Sequence, residues 1–142
     1  MKFTHDRLTQ LVISCIITVH QTLGPGFLES VYRRALVVEL RKRGIPVETE
    51  KEVVVVYEGE EVGRHRLDLL VDTRLILELK TVEDLAKAHY AQVRSYLKAT
   101  GLSVALLVNF AKERADFRRI ETSEDDMEPE PRREALLVGV EQ

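Results

Sequence analysis

Between Arg66 and Lys80 the sequence runs RLDLLVDTRLILELK, an apolar stretch with acids and a lysine set into it. Alternate residues of a strand face opposite sides. Leu67, Leu69 and Val71 form one face of a first strand, with Arg66, Asp68 and Leu70 on the other. In the strand that follows, Leu75, Leu77 and Leu79 share a face, which leaves Ile76, Glu78 and Lys80 opposite. A three-residue turn at Asp72-Thr73-Arg74, with Val71 opposite Leu75, places Asp68 directly across from Glu78. Cross-strand neighbours lie about 5 Å apart. Two carboxylates that close raise each other's proton affinity unless a cation lies between them. Such a pair, with Lys80 on the same face, suits a hard divalent cation, Mg²⁺ or Mn²⁺, which lowers the pKa of water and polarises a phosphate. The lysine would orient that water or neutralise developing charge. An Asp and an E-x-K alone more often mark a solvated strand face with an ordinary charge ladder, because such short motifs recur by accident.

Two helices must bring further polar groups to that face. A helix from Asp84 to Thr100 carries Leu85, Ala88, His89, Gln92, Val93, Tyr96 and Leu97 on one stripe, so Gln92 and Tyr96 share the face that packs on the sheet. Buried polar side chains need partners, and Gln92 could hold a water or a phosphate oxygen, with Tyr96 bracing it. His89 reads as a satisfied boundary residue. In the helix from about Leu28 to Arg43, Glu29 occupies the first turn and Tyr32 lies one turn on. An N-terminal Glu is ordinarily only favourable to the helix dipole, but Gly26 just before it permits a sharp turn.

The remaining elements follow from periodicity and punctuation. Thr4 to Leu23 has apolar residues at helical spacing and stops at Gly24-Pro25-Gly26. Val47 to Tyr57 is a strand whose Val53-Val54-Val55-Val56 core suggests burial on both faces. Glu58-Gly59-Glu60-Glu61 turns into a strand from Val62 to Val71, and Arg74 to Thr81 is a third. Gly101 closes the third helix, Val104 to Phe110 is a buried strand, and Phe117 to Ile120 a short edge strand. The order α-α-β-β-β-α-β(-β) predicts one α/β domain, a mixed central sheet flanked by helices, over residues 1–120. Residues 121–142 form an acidic C-terminal tail.

Composition bounds the rest. The chain has 142 residues, 44% of them hydrophobic and 32% charged, enough for one domain with its own core. Its single cysteine, Cys15, excludes an internal disulfide and a CxxC zinc cluster, and favours a cytoplasmic setting. The longest apolar run, Leu11 to Val19, is too short to span a bilayer and reads as a buried helix. Net charge is −3, with a run of acids from Glu121 to Glu130, so a nucleic-acid surface would be local.

The segment GPGFLESVYRRAL holds Gly26-x-x-Glu29-x-x-Tyr32, and RLDLLVDTRLILELKTVEDL and HYAQVRSYLKATGLSVALLVNF follow it in order. From His5 to Phe110 the sequence resembles the bacterial GxxExxY proteins, a branch of the PD-(D/E)XK phosphodiesterase superfamily. The resemblance implies a restriction-endonuclease-like core with a divalent metal where the strands splay. It aligns Asp68 with the superfamily's first acid, Glu78 and Lys80 with its E-x-K, and Glu29 with the acid from the preceding helix. Gln92 and Tyr96 match a Q-x-x-x-Y element of the exonuclease-like branches. The eponymous proline is replaced by Leu67. His20 also fits the pattern, without a role that the sequence explains beyond packing or a hydrogen bond near the glycine turn.

The expected function is therefore a Mg²⁺- or Mn²⁺-dependent nuclease, with DNA the expected polymer. Glu29, Asp68 and Glu78 would hold the metal with the Leu79 carbonyl, Lys80 would position the attacking water, and Gln92 would support water or phosphate. Tyr32 and Tyr96 would support the site, and Arg64, Arg66, Arg94 and Lys98 would contact phosphates. The rival expectation is a non-catalytic binding or regulatory module that keeps the fold and acts through a partner or a homodimer.

Overall fold

The computed structural model describes residues 4–122, and the acidic tail from residue 123 onward lies outside the described residues. The elements are α1 (His5–Leu23), α2 (Glu29–Lys42), β1 (Val47–Tyr57), β2 (Glu60–Val71), β3 (Leu75–Lys80), α3 (Lys87–Thr100), β4 (Val104–Asn109) and β5 (Asp116–Glu121). They build one mixed sheet in the order β1-β2-β3-β4-β5. β3 and β4 run parallel, joined by α3, and the other neighbours are antiparallel. Glu121, placed at the start of the tail by the sequence, is the last residue of β5 and pairs with Val104.

β3 lies at the centre and is buried from Leu75 to Leu79, which is why LILEL has almost no polar break. On one face, Leu69, Val71, Leu75, Leu77 and Leu79 meet Leu8, Val12 and Ile16 of α1 and Tyr32, Leu36 and Leu40 of α2. On the other, Leu70, Ile76, Ala105 and Leu107 meet Val93, Tyr96 and Leu97 of α3. The two layers hold the ends of α2 and α3 over the same stretch of β2 and β3.

Several features differ from the sequence reading. α3 begins at Lys87, because Ala86 is its cap and the Ala86 N–H donates to His89 Nδ1 at 2.9 Å. Asp84, where the sequence starts this helix, instead accepts from Lys112 Nζ at 2.8 Å. Leu67 packs on the α3 side with Leu70, not with Leu69 and Val71. The alternation fails at Asp68, opposite which Glu50 of β1 adopts a left-handed φ of 51°. That conformation costs a non-glycine residue on the order of 1–2 kcal/mol. Val55 and Val56 are half-buried, not buried on both faces, and Ala88 of the predicted inward stripe is exposed.

Candidate active site

The β2–β3 ladder pairs Val71 with Leu75, Leu70 with Ile76 and Leu69 with Leu77, then ends. Beyond it the strands part, and the Asp68 side chain turns into the opening. Its Oδ2 accepts the Leu79 N–H at 2.8 Å, standing in for a strand carbonyl. Asp68 Oδ1 lies 3.9 Å from Nη1 of Arg33 on α2.

Glu78 is only 5% exposed, and among the described residues its Oε1 has no hydrogen-bond partner. Burial pushes its carboxyl up to about 8, the Asp68 charge adds to the rise, and Lys80 opposes it. Lys80 Nζ lies 3.7 Å from Glu78 Oε2 and donates to Gln92 Oε1 at 3.0 Å. The amide of Gln92 on α3 thus fixes the lysine over the acid. Tyr96, one turn further along α3, is pushed up to about 12 by burial and by the charges of Glu78 and Asp68.

Glu29 opens α2 on the opposite side of the gap. Burial and Asp68 raise its proton affinity, while Lys80 and Arg33 lower it. Glu29, Glu78 and Tyr96, from three different elements, therefore all respond to the charge of Asp68.

The turn before Glu29 is fastened from below. The Tyr32 hydroxyl donates to the Gly24 carbonyl and accepts the Phe27 N–H at 3.2 Å. Gly26 has a φ of 110°, a conformation that favours glycine. The Tyr32 ring stacks on Phe110 at 4.4 Å, and His20 stacks on the same Phe110 at 5.9 Å. His20 Nε2 also bonds the Lys112 carbonyl at 2.7 Å, which supplies the role that the sequence left open. Tyr32 and His20 belong to this clasp, not to the acid cluster.

The arginines and lysine expected on phosphates fall in different places. Arg66 is exposed on β2, two residues from Asp68. Arg64 is balanced locally, by Glu52 at 3.0 Å and Glu61 at 2.9 Å. Arg94 and Lys98 line another cleft with Ser95, Glu121 and Thr122, which holds none of Glu29, Asp68 or Glu78. Arg33 is the residue that the sequence reading missed. Its signal was its place four residues after Glu29, on the same side of α2.

Parting strands with an Asp on one, an E-x-K on the other and a helix closing over each side form a recognisable arrangement. A family model for the PD-(D/E)XK nuclease superfamily matches residues 6–120. The chain belongs to this superfamily. Among the described residues, the three helices and the five-stranded mixed sheet have the restriction-endonuclease-like architecture of that group. The crystal structure of SSO0001 is similar in fold, with a TM-score of 0.54 at 20% identity over 85% of this chain. The match spans 60% of the SSO0001 chain. No curated protein matches the sequence. PD-(D/E)XK nucleases typically use divalent metals. Among the described residues no helix is long and apolar enough to cross a membrane.

The donor set fits a hard cation in one respect and is incomplete in another. Among the described residues no group hydrogen-bonds Glu78 Oε1, a buried carboxylate oxygen, which is costly unless a proton or a cation meets it. Among the described residues, however, no three His, Cys, Asp or Glu side chains stand together as a ready-made metal cage.

Proposed function

We propose that the protein is a metal-dependent nuclease that hydrolyses phosphodiester bonds, with DNA as its polymer. The observation that carries this reading is the buried, unpartnered Glu78 Oε1 beside Asp68, with Lys80 held over the pair by Gln92. Asp68, Glu78 and Glu29, with the Leu79 carbonyl, would hold Mg²⁺ or Mn²⁺, with solvent completing the set. The ion supplies Lewis acidity toward a phosphate oxygen and makes water easier to deprotonate.

The chain's own residues do the rest. Lys80, fixed by Gln92 and 3.7 Å from Glu78 Oε2, positions the attacking water and offsets the negative charge that gathers on the phosphate. Asp68 is locked by the Leu79 N–H, so its carboxylate cannot swing away. Tyr96 stays protonated up to about 12 and so remains a donor beside the acids throughout the physiological range. Hydrolysis is direct, and the lone thiol, Cys15, is buried in the core. That one buried thiol suits a reducing cytoplasm. The GxxExxY resemblance adds Glu29 and its turn, which the Tyr32 clasp holds in place.

That no three acids among the described residues form a ready-made cage is the observation that favours a second reading, a binding or regulatory module that retains the fold and acts through a partner or as a homodimer. Incubation with single- and double-stranded DNA and RNA, with Mg²⁺ or Mn²⁺ against EDTA, separates the two. Metal-dependent cutting is the expected result and reveals the preferred polymer. Binding of nucleic acid without cutting, by a folded and metal-bound protein, would leave the module.

A further inference from the structure

Beside the acids, on the outer side of α2, lies a cleft of about 280 Å³ lined by Arg33, Arg34, Val37, Arg41, Thr49 and Glu50. Three guanidiniums face one carboxylate there, on a chain whose net charge is −3. Residues 33, 34, 37 and 41 recur along one side of α2, and Thr49 and Glu50 close the cleft from β1. Arg34 and Arg41 are exposed, and among the described residues neither has an acidic partner.

Arg33 joins this cleft to the acid cluster. It stands 3.8 Å from Glu50 Oε1 and 3.9 Å from Asp68 Oδ1, distances of charge attraction that exceed hydrogen-bond length. Its planar fork of donors is therefore not taken up by either carboxylate. An arginine fork matches two oxygens of a phosphate. Arg33 at the inner end, with Arg34 and Arg41 further out, makes a row of such forks leading away from Asp68.

We propose that this α2–β1 cleft is a second phosphate-binding site, which grips the nucleic-acid backbone next to the bond being cut. The inference rests on the nuclease reading only for the identity of the polymer and its direction of approach. Arg33 faces the phosphate nearest the acids, and Arg34 and Arg41 take its neighbours. Glu50 keeps Arg33 from collapsing fully onto Asp68, so the guanidinium stays within reach of both sides.

The test uses the full chain with Arg34→Ala and Arg41→Ala combined, both sites being exposed and outside the core. Binding of fluorescein-labelled 20-mer DNA, single-stranded and duplex, is followed by anisotropy in EDTA over a salt series. Removing one cation that binds a phosphate makes the plot of log affinity against log salt shallower by about 1. The double variant is expected to bind at least tenfold more weakly at 0.1 M salt, with a slope shallower by about 2 on duplex. Arg34→Lys with Arg41→Lys should restore the slope but not all of the affinity, because lysine lacks the fork. Arg94→Ala with Lys98→Ala removes the same charge elsewhere and should change both quantities less.

Unchanged affinity and slope in the arginine variant would overturn the cleft. So would equal losses in the two double variants, or no binding by the native chain at the lowest salt. Cleavage by the native chain, run in parallel with Mn²⁺, separates the two conclusions. Cutting with no effect of the arginines overturns the cleft and leaves the nuclease. Weakened binding without cutting supports the cleft and removes the nuclease.

Discussion

The Asp68 carboxylate bonds the Leu79 main-chain N–H at 2.8 Å, across the point where the β2–β3 ladder has ended at Leu69 and Leu77. One side chain thus does two things. It satisfies a backbone donor that the parting strands would otherwise leave bare, and it presents its charge to Glu78 and Glu29.

These two roles separate by mutation. Asp68→Asn keeps an acceptor for the Leu79 N–H and removes the charge, so it should fold with stability close to native. Asp68→Ala leaves that N–H without its partner and should lose about 1–3 kcal/mol. Denaturant melts without metal check the difference, and both variants should be inactive in cleavage.

Glu78 predicts a pH dependence of the metal-free protein. Its carboxyl is raised from 4.5 to about 8 in the fold, chiefly by burial and then by Asp68. Between those values the folded chain keeps a proton that the unfolded chain has released. The stability that this proton brings is fully present below pH 4.5 and is lost as pH rises through about 8. Thermal melts in EDTA should fall over that window, and Glu78→Gln should flatten the fall. Mg²⁺ or Mn²⁺ should raise the native melt most at the alkaline end.

Tyr32 carries the turn ahead of Glu29 through its hydroxyl and the core through its ring. Tyr32→Phe should cost about 0.5–1.5 kcal/mol and weaken Mn²⁺ binding by loosening Glu29. Tyr32→Ala, at a site that is fully buried, should cost on the order of 3–5 kcal/mol. Calorimetric titration with Mn²⁺ and a denaturant melt separate the two effects.

Gln92 acts through Lys80. Gln92→Leu keeps much of the volume but removes the acceptor at 3.0 Å, so Lys80 loses one of its two anchors. The expected loss is on the order of 10–100-fold in kcat with little change in KM, since the substrate's other contacts remain. Steady-state kinetics on the preferred polymer reads this split.

Much of this site was legible from residue types alone. The alternation in LLV and LIL, with its short turn, fixes Val71 opposite Leu75, but the ladder ends at Leu69 and Leu77, so Asp68 bonds the Leu79 N–H and is not paired directly across from Glu78. Gly101, in the left-handed region at φ 75°, ends α3 where a glycine after an apolar stripe should. Contacts between distant segments carried no such signal. His20 finds the Lys112 carbonyl across 92 positions, and no local pattern announces it. The start of α3 depends on which side chain reaches the first free N–H, and His89 competes there with Asp84, which Lys112 holds. Leu67 changes face because Glu50 on the neighbouring strand breaks the pleat, and a glutamate at a left-handed φ gives no warning in sequence. Arg33 drew no reading from the sequence, because only the fold brings Asp68 to within 3.9 Å of it.

The central claim is that Asp68, Glu78 and Lys80 together hydrolyse phosphodiester bonds with a divalent metal. It is tested most directly by cleavage of DNA with Mn²⁺, comparing the native chain, Asp68→Ala and Lys80→Ala, each shown to be folded by circular dichroism. The account predicts cutting by the native chain that stops with EDTA and is lost in both variants. Cutting that survives in Lys80→Ala and Asp68→Ala, or folded native protein that binds Mn²⁺ and DNA and cuts nothing, would contradict it.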